Sequence, residues 1–261
     1  MYAFEFVKPS SVAEAVAALR DEDAAPLSGG QTLIPTLKQR LAQPSKLVSL
    51  SGMAELVGVE ASGGTLTVKG ATPHAQVAAE AGAYPALAAL AGGIGDPAVR
   101  SRGTIGGSLA NNDPSACYPS AALASGATIV TNAREIAADD YFQGMFATAL
   151  DEGEIVTAVK FPIPEAAAYV KFEQPASRFA LVGVFVAKYA DGVRVAITGA
   201  SEDGVFRWAE AEAALSADFS AGALDGLDLP SQPMISDLHG SAEYRAHLCK
   251  VIAKRAVAGA A

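Results

Sequence analysis

Two short segments, Ser28-Gly29-Gly30-Gln31-Thr32 and Thr104-Ile105-Gly106-Gly107-Ser108, have a composition suited to holding an anion. Each sets a glycine doublet among hydroxyl-bearing residues. Glycine lacks a Cβ, so a ligand can come close to the backbone, and successive N–H groups can turn inward as an anion-binding nest. The hydroxyls add donors at the rim. Two such loops on one domain can converge on a diphosphate, which spreads its charge over two phosphates and needs donors from both sides. The amides of both doublets are therefore expected to face one cleft.

Other motifs are absent or misplaced. No Gly-Lys dipeptide occurs, so there is no Walker A loop, and neither GxSxG nor HExxH is present. His74, His239 and His247 are scattered, and Cys117 and Cys249 fit no zinc or iron-sulfur spacing. Gly93-Ile94-Gly95-Asp96-Pro97-Ala98 matches GxGxxA, but a Rossmann loop follows a β-branched strand and opens a helix. Here the preceding Pro85 to Ala91 is alanine-rich and reads as helix.

The elements that would position the two loops follow from periodicity and breakers. A strand from Tyr2 to Val7 precedes a helix whose start is marked by Ser11 and Glu14 at capping-box spacing, with Val12, Ala15, Val16 and Leu19 on one face. Ala24 to Leu27 runs into the first glycine doublet, and Leu47 to Leu50 reads as the next strand, giving β-loop-α-β order. Ser62-Gly63-Gly64 divides a hairpin between Leu56 and Lys69. Thr72 with Pro73 reads as a helix start, followed by helices over 73–81 and 85–92. Gly92 to Pro119 is the least regular stretch and contains the second doublet. Ala127 to Thr131, Arg134 to Ala138 and Ile155 to Phe161 read as strands, with Asp140 to Ala149 helical. Phe161-Pro162-Ile163-Pro164 then breaks the chain near residue 165. Beyond it, Tyr169 to Phe172, Phe179 to Tyr189, Val193 to Thr198 and Gly204 to Trp208 form a strand meander, with helices over 209–215 and 241–257.

The bulk properties narrow the function classes. The chain has 261 residues, 51% of them hydrophobic and 18% charged, which is enough apolar surface for a sizeable core. With 28 Asp+Glu against 19 Lys+Arg the net charge is −9, so nothing general attracts nucleic acid or an anionic membrane. The longest strongly apolar run, Phe179 to Ala187, is short of the roughly twenty residues a membrane span needs, and no secretory signal is visible. No transmembrane segment is expected, and a cytoplasmic protein with free buried cysteines is.

Taken with their spacing, Ser-Gly-Gly-Gln-Thr-Leu-Ile-Pro, Arg-Ser-Arg-Gly-Thr-Ile-Gly-Gly-Ser-Leu-Ala-Asn-Asn-Asp-Pro and Phe-Pro-Ile-Pro resemble the FAD-binding medium subunits of molybdenum hydroxylases. The aerobic carbon-monoxide-dehydrogenase type is the nearer likeness and the xanthine-dehydrogenase flavin domain the more distant. The resemblance covers essentially the whole chain. It implies an α+β fold: a two-subdomain FAD-binding domain of the vanillyl-alcohol-oxidase/PCMH type over 1–165 (about 1–55 and 56–165), then a smaller α+β domain over 166–261 with an antiparallel sheet and helices. Ser28, Gly29, Gly30, Gln31, Thr32 and Leu33, with Thr104, Ile105, Gly106, Gly107 and Ser108, match the loops that hold the FAD diphosphate and ribityl chain. Ile94 matches a position flanking the flavin ring. Lys171 matches a lysine near the cofactor, where a cation would stabilise negative charge on a reduced ring. The partners implied are a small subunit with two 2Fe-2S clusters and a large molybdopterin subunit. No catalytic side chain is implied, because the cofactors carry the chemistry.

One position departs from the family pattern. Asp113 is kept, but an acidic residue usual four positions later is here Cys117, a poor hydrogen-bond acceptor. Replacing it by Asp is expected to tighten FAD binding. Two other functions fit parts of the pattern: a stand-alone flavin reductase like the UDP-N-acetylenolpyruvoylglucosamine reductases, and an assembly scaffold whose cofactor site has decayed. The reductase needs a proton donor and a substrate pocket of its own, and no such set of residues can be picked out.

Overall fold

The computed structural model describes residues 1–260. The chain opens as β1 (Glu5–Val7), α1 (Val12–Ala18), β2 (Ala24–Leu27), α2 (Leu33–Lys38) and β3 (Lys46–Ser49). β3 lies between β1 and β2 and is parallel to both, as helical crossovers require. Ser11 Oγ accepts from Glu14 N at 3.2 Å and caps α1, but the Glu14 carboxylate takes Ser10 N at 2.8 Å, so the capping box is displaced by one residue. Ala15 and Leu19 of this unit pack with Val48, Leu50, Met53 and Leu56 in a small core.

Next come β4 (Val59–Ser62) and β5 (Thr65–Lys69), joined through Gly63 and Gly64 at φ +56 and +78, the positive values a tight hairpin demands. Five helices follow: α3 (His74–Glu80), α4 (Pro85–Gly92), α5 (Pro97–Arg100), α6 (Ile105–Asn111) and α7 (Tyr118–Ala124). β6 (Thr128–Thr131), β7 (Glu135–Ala137), α8 (Ala138–Tyr141), β8 (Phe142–Gly144), β9 (Ala147–Thr148) and β10 (Val156–Pro162) complete the middle of the chain. An antiparallel sheet is built in the order β4-β5-β10-β6-β7, and α7 is buried along its entire length.

Three expectations are corrected here. The stretch from Gly92 to Pro119 is not irregular: it contains α5, α6 and the start of α7, short helices begun by side-chain caps at Asp96 and Thr104. α6 carries Gly106 and Gly107, and α5 and α7 are only four and seven residues long, so propensity does not reveal them and tertiary packing stabilises them. Asp140 to Ala149 is not a helix, because Gly144 (φ +130) and Phe146 (φ +55) turn the chain into the β8–β9 hairpin after one helical turn. Thr72 does not cap α3, which begins after Pro73. Its hydroxyl is buried and bonds both Gly58 N (2.9 Å) and Gly58 O (3.1 Å).

The last part is the meander β11 (Ala166–Glu173), β12 (Ala180–Tyr189), β13 (Gly192–Ser201) and β14 (Gly204–Arg207), followed by α9 (Ala209–Ala217) and α10 (Ala242–Gly259). β12 explains the long apolar run. Its alternate residues Phe185 and Ala187 join the core of the middle sheet, while Val182, Val184 and Val186 join a second core with Trp208, Leu248 and Ile252. A strand covered on both faces needs apolar residues at every position. The fold is α+β throughout, and no helix of the described residues is long and apolar enough to cross a membrane.

Candidate functional site

The first glycine doublet occupies the connection from β2 to α2, and the second lies in the first turn of α6. They meet. Ser28 Oγ and Thr104 Oγ1 are hydrogen-bonded at 2.7 Å across 76 residues of sequence. Behind that contact the loops are packed too closely for a side chain: a Cβ on Gly29 would lie 2.2 Å from Arg102 O and 2.7 Å from Gly103 Cα. Between the loops opens a cleft of about 470 Å³. Of the residues singled out from sequence, Ser28 to Leu33, Ile94, Thr104, Gly106 to Ser108, Asp113, Cys117 and Lys171 all line it. Ile105 does not. It follows the cap of α6, so its side chain turns into the core with Leu66 and Leu109, and its place in the motif is structural.

The two loops offer different chemistry. Among the described residues, the amides of Gly29, Gly30, Gln31, Thr32 and Leu33 donate to nothing in the protein. α2 starts at Thr32 without a side-chain cap, and Gly30 adopts φ +71, the left-handed step that lets consecutive N–H groups converge. In the second loop, among the described residues, only the Thr104 amide donates to nothing, and the four that follow are spent. Ile105 N bonds Thr72 O (3.3 Å), Gly106 N bonds Gly70 O (2.8 Å), Gly107 N bonds Thr104 Oγ1 (3.2 Å) and Ser108 N bonds Thr104 O (3.0 Å). The expected two-sided clasp of bare amides is thus largely one-sided: the amide run and the Ser28 hydroxyl on the β2–α2 side, the hydroxyls of Thr104 and Ser108 on the other. Gly106 is glycine for a different reason, since a Cβ there would meet Gly70 O at 2.6 Å.

The cleft walls come from three other places. One carboxylate oxygen of Asp113 accepts from Ser115 N at 2.8 Å, and its other oxygen makes no bond among the described residues. Cys117 follows in the same turn, where burial pushes its thiol pKa up and the nearby Lys171 ammonium pulls it back. Lys171 enters from β11, with its side chain only 7% exposed. Its ammonium donates to Gly93 O and Arg178 O, both at 2.7 Å, and sits 3.4 Å from Glu173. Lys171 is therefore a tether between β11 and the Gly93–Gly95 turn that carries Ile94. Arg100 braces the same turn through Ile94 O (3.0 Å) and Gly95 O (3.1 Å). That turn follows α4 rather than a strand, which disposes of the Rossmann-like match.

His74, Gly103, Val99 and Phe179 also line the cleft and were not anticipated. His74 lies under the second loop: its amide bonds Gly103 O at 2.9 Å, and a Cβ on Gly103 would strike its Nε2 at 2.6 Å. Burial, with Arg100 adding to it, lowers the His74 pKa to about 4, so the ring is neutral near pH 7. The only signal in the sequence was Gly103 itself, and a lone glycine does not say what approaches it.

Residues 2–164 match the family described as the FAD binding domain in molybdopterin dehydrogenase. The chain belongs to that family. It is 34% identical to the carbon monoxide dehydrogenase medium chain of Afipia carboxidovorans, over 97% of this chain and 95% of that one. It is likewise 34% identical to the nicotine 6-hydroxylase medium subunit of Paenarthrobacter nicotinovorans, over 98% and 96%. Among solved structures, the crystal structure of quinoline 2-oxidoreductase from Pseudomonas putida 86 superposes with a TM-score of 0.88 at 30% identity, covering 98% of this chain and 96% of that one. This member of the molybdopterin dehydrogenase FAD-binding family is thus an oxidoreductase flavoprotein subunit whose cofactor is FAD. The residues present suit that group: an unspent run of backbone donors for a diphosphate, hydroxyls opposite, and a free carboxylate oxygen for sugar-type hydroxyls further along.

Proposed function

We propose that the chain is the electron-transfer subunit of a molybdenum hydroxylase, taking electrons from 2Fe-2S clusters of a small subunit and passing them to a terminal acceptor. The observation that carries the reading is the free amide run from Gly29 to Leu33, sharing one cleft with the hydroxyls of Thr104 and Ser108 from the second loop. In this reading those amides hold the FAD diphosphate, Asp113 accepts from its hydroxyls, and the tethered Ile94 turn flanks its ring. FAD supplies one- and two-electron redox chemistry, and the protein supplies binding and orientation. The domain division near residue 165 belongs to the same proposal: the family match ends at 164, and β10 and β11 join different sheets.

A large molybdopterin subunit would oxidise the substrate. Relatives named for carbon monoxide and for nicotine have medium subunits equally similar to this chain, which is what a shared relay with substrate choice elsewhere would give. Cytoplasmic placement fits two buried free thiols. The purified full chain is expected to bind FAD with a flavin absorption spectrum and to hydroxylate nothing until the other two subunits are added. Failure to take up FAD favours the decayed scaffold, and hydroxylation by this polypeptide alone removes the relay.

A further inference from the structure

We propose that Thr198 is a positioning residue for the Asp113 turn, with Arg245 as its buttress; the proposal deepens the FAD reading above and rests on it. Neither residue lines the cleft. The pairing of β13 with β14 shifts register between Ile197 and Ser201, so the intervening backbone bulges out of the ladder toward the cofactor turn. The fully buried Thr198 hydroxyl lies 2.8 Å from both Pro114 O and Ala116 O and can donate its single proton to either. Gly199 N donates to Pro114 O at 2.7 Å. The turn is also tied from within, by Ser115 N to Asp113 Oδ1 (2.8 Å) and Ala116 N to Asp113 O (2.9 Å). Internal bonds set the carboxylate relative to the turn, and the β13 bulge sets the turn relative to the molecule.

The bulge is itself held from behind. Gly199 adopts φ +83, and a Cβ there would meet Ala180 O at 2.5 Å, so β12 and the bulge lie backbone to backbone. Arg245 of α10, 3% exposed, donates from Nη1 to Leu181 O (2.9 Å) and Gly199 O (2.8 Å), and from Nη2 to Asp237 (2.8 Å). One guanidinium thereby joins α10, β12 and β13 at the point that grips Pro114. Holding a ligand-binding turn in one geometry before the ligand arrives lowers the ordering cost of binding. β13 and α10 therefore shape the cofactor site from outside the cleft.

The test titrates the full-length apoprotein with FAD and follows quenching of flavin fluorescence. Thr198→Val keeps the β-branched shape, removes the donor and is expected to weaken FAD about tenfold. Thr198→Ser, which restores the donor, should recover most of that loss. Because Thr198 acts through Asp113, Thr198→Val should add little in an Asp113→Ala background. Wild-type affinity in Thr198→Val, or a full additive loss on top of Asp113→Ala, overturns the positioning role. Gly107→Val separates this from the reading beneath it: normal FAD affinity there overturns the cofactor site, and the clamp with it. Should Thr198→Val not fold, Arg245→Lys, which loosens the bulge without touching the turn, carries the same expectation of weakened FAD.

Discussion

After β2, the backbone N–H groups from Gly29 to Leu33 stay free, whereas at the head of α6 those from Ile105 to Ser108 are all engaged within the protein. Yet both segments pair two glycines with flanking hydroxyls. In the first, glycine permits a left-handed step at Gly30 and leaves donors for a ligand. In the second, Gly106 permits α6 to lie against the backbone of Gly70, and that contact consumes its amide. A glycine doublet reports that something comes close to the backbone. Whether the visitor is a phosphate or a neighbouring strand depends on what the fold brings there.

The largest effect that tests this contrast is structural. Gly106→Val puts a side chain into Gly70, 2.6 Å from its carbonyl oxygen and 3.0 Å from its Cα, where only backbone can yield. The apoprotein should lose about 3 kcal/mol or more of stability, read as a lower thermal midpoint. Wild-type stability in that variant would break the contrast outright. One residue on, Gly107 has a softer neighbour, Thr104 Oγ1 at 3.0 Å, and its open side faces the cleft. Gly107→Val should leave the fold intact and weaken FAD about a hundredfold, roughly 3 kcal/mol of binding free energy.

Acid should act on the second loop. His74 has a folded pKa of about 4 against about 6.5 unfolded, so the unfolded chain gains the proton first as pH falls. Its contribution to stability is complete above about 6.5 and is lost as pH drops toward 4, amounting to about 2 kcal/mol at pH 5. His74→Gln, unable to titrate, should show a flatter denaturant midpoint between pH 7 and 5, and an unchanged slope would remove the buried ring as its cause. The smallest effect concerns Cys117. Cys117→Asp places an acceptor beside Lys171 at the start of α7 and should tighten FAD about threefold, whereas unchanged or weaker binding would detach this position from the family pattern.

The sequence made the local elements and the site's membership legible to different degrees. The β1–α1–β2 unit, the Gly63-Gly64 hairpin and the C-terminal meander follow from periodicity and turn residues, which report local conformational preference. The short helices around the second doublet did not, because α5 and α6 are held by single caps and by packing rather than by propensity. Lys171 was legible as a residue near the cofactor, but its two carbonyl partners lie 78 residues and 7 residues away, and no spacing rule links them.

What the chain's letters determined alone was composition-bound: a folded α+β protein, two places where backbone must be approached closely, and a motif set that matches one family. Only the tertiary structure decided which amides remained free, that Lys171 ties two loops together, and that β13 reaches the Asp113 turn. The physical reason is common to all three. A hydrogen bond between segments distant in sequence is chosen by how the sheets and helices pack, and every polar group so satisfied is withdrawn from the ligand.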